Sequence, residues 1–228
     1  MTMFQWLKAV CMAAGLVSAL LAQAGVVVGG TRVVYDAGKK EASISVSNPD
    51  KSLPYLIQSW IDNERDSDTL RVPFIITPPL FRLDAGQENV LRIVRAGGNL
   101  PGDRESVFWL NIKSIPATDK NAINQLLISI NTRIKLFYRP QNLAGRAGDA
   151  YKALNFSRQG GQLTARNPTP FYVSFASLSV SGQDITNPGM IAPLGTLSWP
   201  LPAGVRGNVM WRAINEFGGT SAPASAPL

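Results

Sequence analysis

The run Glu41-Ala42-Ser43-Ile44-Ser45-Val46-Ser47-Asn48 alternates small or polar side chains with apolar ones, the period of two that marks a half-buried β-strand. Short β-branched and aromatic runs recur along the chain: Val26–Val28, Arg32–Tyr35, Pro54–Ile61, Phe74–Thr77, Asn89–Val94, Ser106–Ile115 and Leu126–Tyr138. Turn formers separate them, among them Asn48-Pro49-Asp50, while Pro78-Pro79 can stop a strand or sit on an edge. Beyond the first 24 residues no helical pattern of useful length appears. Many short strands with turns between them predict a β-sandwich. A polar, glycine-containing stretch, Gln141–Asp149, reads as a linker, and a second set of short runs follows at Asn155-Phe156, Gln162–Ala165, Tyr172–Phe175 and Asn208–Ile214. The predicted fold class is therefore all-β, with two sandwiches over residues 25–142 and 147–228 and a tail beyond Gly218 that is mobile at its end.

Residues 1–24 stand apart. Lys8, an apolar run from Val10 to Leu21 and then Ala22-Gln23-Ala24 follow the order of a secretory signal peptide, and the run is short for a bilayer span. The mature chain is expected to begin near Gly25, outside the cytoplasm and without stable membrane insertion. The only cysteine, Cys11, leaves with that segment, so the sandwiches must hold together without a disulfide. The chain has no histidine, which removes the Ser-His-Asp and Cys-His catalytic sets and the usual zinc ligands. No metal or cofactor is expected. The formal charge is +7, but its cations are scattered singly among acids, a pattern that favours an anionic group on a protein partner over nucleic acid.

The stretch Leu100-Pro101-Gly102-Asp103-Arg104-Glu105-Ser106-Val107-Phe108-Trp109-Leu110-Asn111-Ile112-Lys113-Ser114-Ile115-Pro116, followed by Ile134-Lys135-Leu136-Phe137-Tyr138-Arg139-Pro140, resembles the signature of the periplasmic pilus-assembly chaperones of the chaperone–usher pathway. Thr31–Tyr35, Ser43–Trp60 and Ile214–Gly219 fit that family's first, second and third, and final strands, so the resemblance covers nearly the whole mature chain. It implies a boomerang of two immunoglobulin-like domains, with pilus subunits and an outer-membrane usher as partners. The chaperone lends an edge strand to a subunit that lacks its last one, an instance of β-strand addition. The short Ala117–Gln125 connection resembles the short-loop subgroup.

By pattern alone, Leu126, Ile128 and Ile130 share one strand face and Ser129, Asn131 and Arg133 the other. That apolar row either packs on the domain's own core or meets a client, and the resemblance assigns it to the client's groove. An open apolar edge is an aggregation hazard, so capping by a client, a mobile loop or a second copy in a dimer is expected. Arg32 and Lys135 read as solvated charges or as a carboxylate site; the resemblance implies that they grip the subunit's C-terminal carboxylate, which suits a guanidinium fork beside a compact ammonium. Lys135 has the opposite parity to Leu126, Ile128 and Ile130, which leaves three readings: a bulge, strong twist, or entry of the lysine into the cleft where the strand leaves the sheet. The resemblance further implies an interdomain charge network of Glu105, Arg139 and Glu216, the last standing where the family usually has aspartate. Two other classes remain in view: an adhesive or structural module that binds through its loops, and a hydrolase built on Asp62, Glu64 and Asp66.

Overall fold

The computed structural model describes residues 25–65, 67–118, 126–201, 204–205 and 207–228. The expected signal peptide with Cys11, Asp66 and all of the Ala117–Gln125 connection except Ala117 and Thr118 lie outside the described residues. The first domain contains β1 (Val27–Val28), β2 (Arg32–Asp36), β3 (Glu41–Ser47), β4 (Tyr55–Asn63), β5 (Phe74–Thr77), β6 (Leu80–Leu83), β7 (Glu88–Arg95), β8 (Ser106–Pro116) and β9 (Ile130–Arg139). One sheet has the order β1-β3-β7-β5 and the other β2-β9-β8-β4-β6.

Alternation along the strands builds the core between these sheets. Ile44 and Val46 of β3 and Leu91 and Ile93 of β7 point inward from one side, and Leu110 and Ile112 of β8 and Leu136 of β9 from the other. Each such burial contributes about 1.5–3 kcal/mol. Tyr35, Phe74, Phe108 and Tyr138 close one end, with Phe74 edge-on to Phe108 at 5.1 Å, a favoured arrangement of ring quadrupoles. The leading strand serves both sheets. Val27 and Val28 pair antiparallel with β3, and after Gly29-Gly30 the chain crosses over so that β2 runs parallel to β9. Glycine is needed at the crossing, because a Cβ on Gly29 would lie 2.3 Å from Ser45 Oγ.

A 3-10 helix, Ala147–Ala153, opens the second domain. The strands β10 (Asn155–Gln159), β11 (Gln162–Arg166) and β15 (Thr196–Pro200) form one sheet. The other orders β13 (Gln183–Asp184), β12 (Val173–Val180), β16 (Val209–Ala213) and β17 (Ala224–Ala226), with β14 (Met190–Ile191) also on β12. Its core is separate and centres on Leu163, Phe175, Leu178, Trp199 and Trp211. Both domains brace a turn with a buried asparagine before proline. Asn48 Nδ2 donates to the Leu53, Leu83 and Asp84 carbonyls, and Asn167 Nδ2 donates to those of Phe171 and Ala192.

Three expectations change. The polar linker is shorter than Gln141–Asp149, because the 3-10 helix begins at Ala147, which packs against the second core, and the Tyr151 carbonyl further along that helix accepts a 2.9 Å bond from Trp211 Nε1. The tail ends in a strand, β17, whose Ala224 and Ala226 are small enough to pack against that core. Ile214–Gly219, taken for a final strand, is the turn between β16 and β17: only Ile214 is bridged, to Thr220.

Candidate functional site

The parallel register of β2 on β9 sets Arg32 beside Lys135. Both are half-buried, and among the described residues neither forms an ion pair. Arg32 Nη1 donates to the carbonyl of Ile214 in the second domain at 3.2 Å, and its buried Nε has no partner. Burial pushes the Arg32 guanidinium down from its ordinary pKa. Burial and then the Arg32 charge push Lys135 down as well. Two adjacent, partly desolvated cations without an acid make a site that a carboxylate would stabilise. The Lys135 ammonium also lies 5.3 Å from the Trp109 ring centroid, with the Arg133 guanidinium 4.6 Å from the same ring.

The β8–β9 pairing runs without a register shift from Ser114↔Ile130 to Ser106↔Tyr138. No bulge lies between Ile130 and Lys135, and the lysine does not mark the end of the strand, which continues to Arg139. The opposite parity is therefore real. Ile130 shares the inner face with Ile134 and Leu136, and Lys135 shares the outer face with Asn131 and Arg133. The inner face is covered unevenly. Ile134 is 7% exposed and Leu136 0%, whereas Ile130 is 52%, Ile128 65% and Leu126 84% exposed. Strand β2 flanks β9 only from Lys135 onward, so among the described residues the stretch before it pairs with β8 on one side and with no strand on the other. The sequence predicts a strand from Leu126, but pairing starts at Ile130. Extended further, the register would bring Pro116 opposite Ile128, and proline has no N–H to give.

At the far end of β9, Arg139 gathers the interdomain charges. Its Nε donates to Glu105 Oε1 at 2.7 Å, and its Nη1 donates to Glu216. Glu105 is 4% exposed, and its other oxygen accepts the Tyr172 N–H at 2.8 Å. Burial pushes the Glu105 carboxyl up, and the Arg139 charge with the Tyr172 amide draws it part of the way back. Arg139 moves up: burial opposes its charge, but the charges and hydrogen bonds of Glu105 and Glu216 together outweigh that cost. The longer Glu216 thus reaches the arginine. A cavity of about 50 Å³ between the domains is lined by Arg32, Glu105, Phe137, Arg139, Tyr172 and Glu216.

The Ile214 carbonyl and the Tyr172 amide escape sequence reasoning because they are backbone groups with no residue signature. Trp109 could have been found, since its alternation places it on the outer face, where an apolar ring needs a reason. Of the acidic trio, Asp62 Oδ2 accepts from Trp60 Nε1 and Asn111 Nδ2 and Glu64 is exposed, while Asp66 lies outside the described residues.

Residues 25–144 match the family "Pili and flagellar-assembly chaperone, PapD N-terminal domain", and residues 149–225 match "Pili assembly chaperone PapD, C-terminal domain". The probable fimbrial chaperone LpfB of Escherichia coli O157:H7 is 46% identical over 198 residues, 85% of this chain and 84% of the relative. The SafB chaperone of Salmonella enterica, solved in complex with the SafA pilin, is matched with a TM-score of 0.82 and 39% identity over 91% of this chain and 98% of that one. The periplasmic chaperone SfaE is matched at 0.74 and 36%, over 90% and 100%. These likenesses give both domains the immunoglobulin-like fold of such chaperones.

Proposed function

Because the chain belongs to the pili assembly chaperone family and acts as a chaperone of pilus assembly, we propose that it holds fimbrial subunits in the periplasm by lending them the open edge of β9. The observation that carries this reading is the graded cover of one strand face: Leu126, Ile128 and Ile130 stand out from a sheet that buries Leu136 of the same row. A subunit lacking a strand would gain main-chain hydrogen bonds from the free edge and place its groove over those side chains. Arg32 and Lys135 would receive its C-terminal carboxylate, with charge-assisted bonds of about 1.5–3 kcal/mol each. Anchoring one end sets the register, since a slip of one residue would turn every donor side chain away from its pocket.

The rest of the chain serves that task. Residues 1–24 direct export, 25–142 form the donor domain and 147–228 its companion, and Glu105, Arg139 and Glu216 fix the angle between them. The protein is a binding device and not an enzyme, and it passes its client to an outer-membrane usher. When no client is present, a second copy can cap the exposed edge.

Co-expression with a fimbrial subunit from the same source tests this. A one-to-one complex is expected by size-exclusion chromatography. Arg32→Ala and Lys135→Ala should abolish it while circular dichroism stays unchanged. Ile128→Asp, which a module binding through its loops would tolerate, should abolish it too. Retention of the complex by both cation variants would sink the anchor.

A further inference from the structure

Phe217 is 92% exposed, more than any other large apolar side chain described, and its ring meets no other aromatic ring among the described residues. A mobile loop could carry such a residue at little cost, but this turn is fixed. Asn215 N donates to the Gly219 carbonyl at 2.7 Å, and Asn215 Oδ1 accepts the amides of Phe217 and Gly219 at 3.0 and 2.9 Å. Gly218 adopts φ +85, and a Cβ there would lie 2.4 Å from Thr31 Oγ1. The turn is thus pressed against the residue before Arg32, and Arg32 itself bonds the Ile214 carbonyl that leads into it. Its neighbour Glu216 is spent on Arg139. A phenyl ring whose backbone is already fixed this close to Thr31 and Arg32 loses only side-chain freedom when it is covered.

We propose that Phe217 is a specificity contact that packs on the last side chain of a subunit whose carboxylate is held at Arg32, favouring apolar and aromatic termini. This rests on the proposed anchor, and the occupant follows from continuity. A chain end bonded to Arg32 must set its terminal side chain among the groups that surround that guanidinium. Of the second-domain segments there, the turn that touches Thr31 and leads on from the Ile214 carbonyl bonded to Arg32 is the one that carries a large exposed apolar side chain. An aromatic ring discriminates by buried area and edge contacts, so polar termini gain least.

The test uses the full mature chaperone and synthetic peptides that copy the C-terminal strand of its co-expressed subunit, with free carboxylates and Tyr, Leu, Ala or Ser as the last residue. Wild type should bind the Tyr and Leu peptides about tenfold more tightly than the Ser peptide. Phe217→Ala should bring all four to the level of the Ser peptide with an unchanged melting temperature. Arg32→Ala should lose all four. If Phe217→Ala keeps the wild-type ranking while Arg32→Ala binds nothing, the contact is refuted and the anchor survives. Binding retained by Arg32→Ala overturns both. A wild-type dimer that Phe217→Ala makes monomeric in sedimentation, with the peptide ranking unaltered, would assign the ring to a second copy and refute the proposal.

Discussion

Ile130 and Leu136 stand on the same face of β9, yet the first is 52% exposed and the second fully buried. Both are aliphatic, and both lie on the strand that pairs with β8. The difference is what lies alongside and across. From Lys135 onward β2 closes the second edge, and the opposite sheet covers Ile134, Leu136 and Tyr138. Before it, β9 runs beyond β2 and toward the end of β8, so the same alternation continues with little cover among the described residues. A strand pattern thus specifies a face, while the length of its neighbours decides whether the chain itself covers that face. One strand is therefore core at one end and exposed at the other.

The closed end should break hardest. Arg139→Ala leaves Glu105 buried and unpaired between the domains, which is expected to cost about 3–5 kcal/mol, read as a lower midpoint in urea denaturation. Next comes a matched pair on the shared face. Leu136→Ala should cost about 2–5 kcal/mol, since it removes packed atoms and leaves a cavity. Ile128→Ala should change stability by less than about 0.5 kcal/mol yet weaken the subunit complex. Equal destabilisation by the two would mean that the open end is packed after all.

That contrast also marks the limit of what could be read in advance. The two sandwiches were legible because Ile44, Val46, Leu110 and Ile112 alternate without interruption, and the pairing of Arg32 with Lys135 because Thr31–Tyr35 and Ile134–Pro140 carry a recognisable pattern. The opposite parity of Lys135 was legible too, but not its meaning. It looked like a possible irregularity, and the unbroken ladder to Arg139 shows two faces with two environments. The second domain was harder to read, because its last strand is Ala224-Ser225-Ala226. Small side chains give little hydrophobic contrast, so a strand that closes a core looked like a loose tail. The polar linker ran too long for a similar reason, since Ala147, Gly148 and Asp149, which open the 3-10 helix, are small or polar.

The proposed anchor at the junction of the two ends would have a pH signature. Burial and the Arg32 charge lower the Lys135 pKa from its ordinary 10.5, and a bound carboxylate would raise it again. Binding therefore takes up a proton between the two values. Affinity should be complete below the lowered pKa and fall as pH rises through it, by about tenfold for the loss of one charge-assisted bond. Titrating the complex on the alkaline side by fluorescence checks this, and Lys135→Arg should flatten the curve because arginine keeps its charge.

The smallest effect sharpens the comparison on the outer face. Trp109 lies opposite Lys135 in the β8–β9 ladder, and its ring faces both the Lys135 ammonium and the Arg133 guanidinium. Its Nε1 donates to the Glu64 carbonyl at 3.2 Å, which holds the ring in place. A cation near an aromatic face at a partly exposed site gains about 0.5–1 kcal/mol. Trp109→Leu keeps an apolar side chain but removes that attraction, so the lysine should sample more rotamers. Subunit affinity is then expected to fall about two- to fivefold, with the loss in the dissociation rate and little change in stability. Lys135→Ala in the Trp109→Leu background should add no less than the full Lys135 effect minus that small share. A larger coupling in the double-mutant cycle would mean that the tryptophan shapes the carboxylate site directly instead of merely steadying its ammonium.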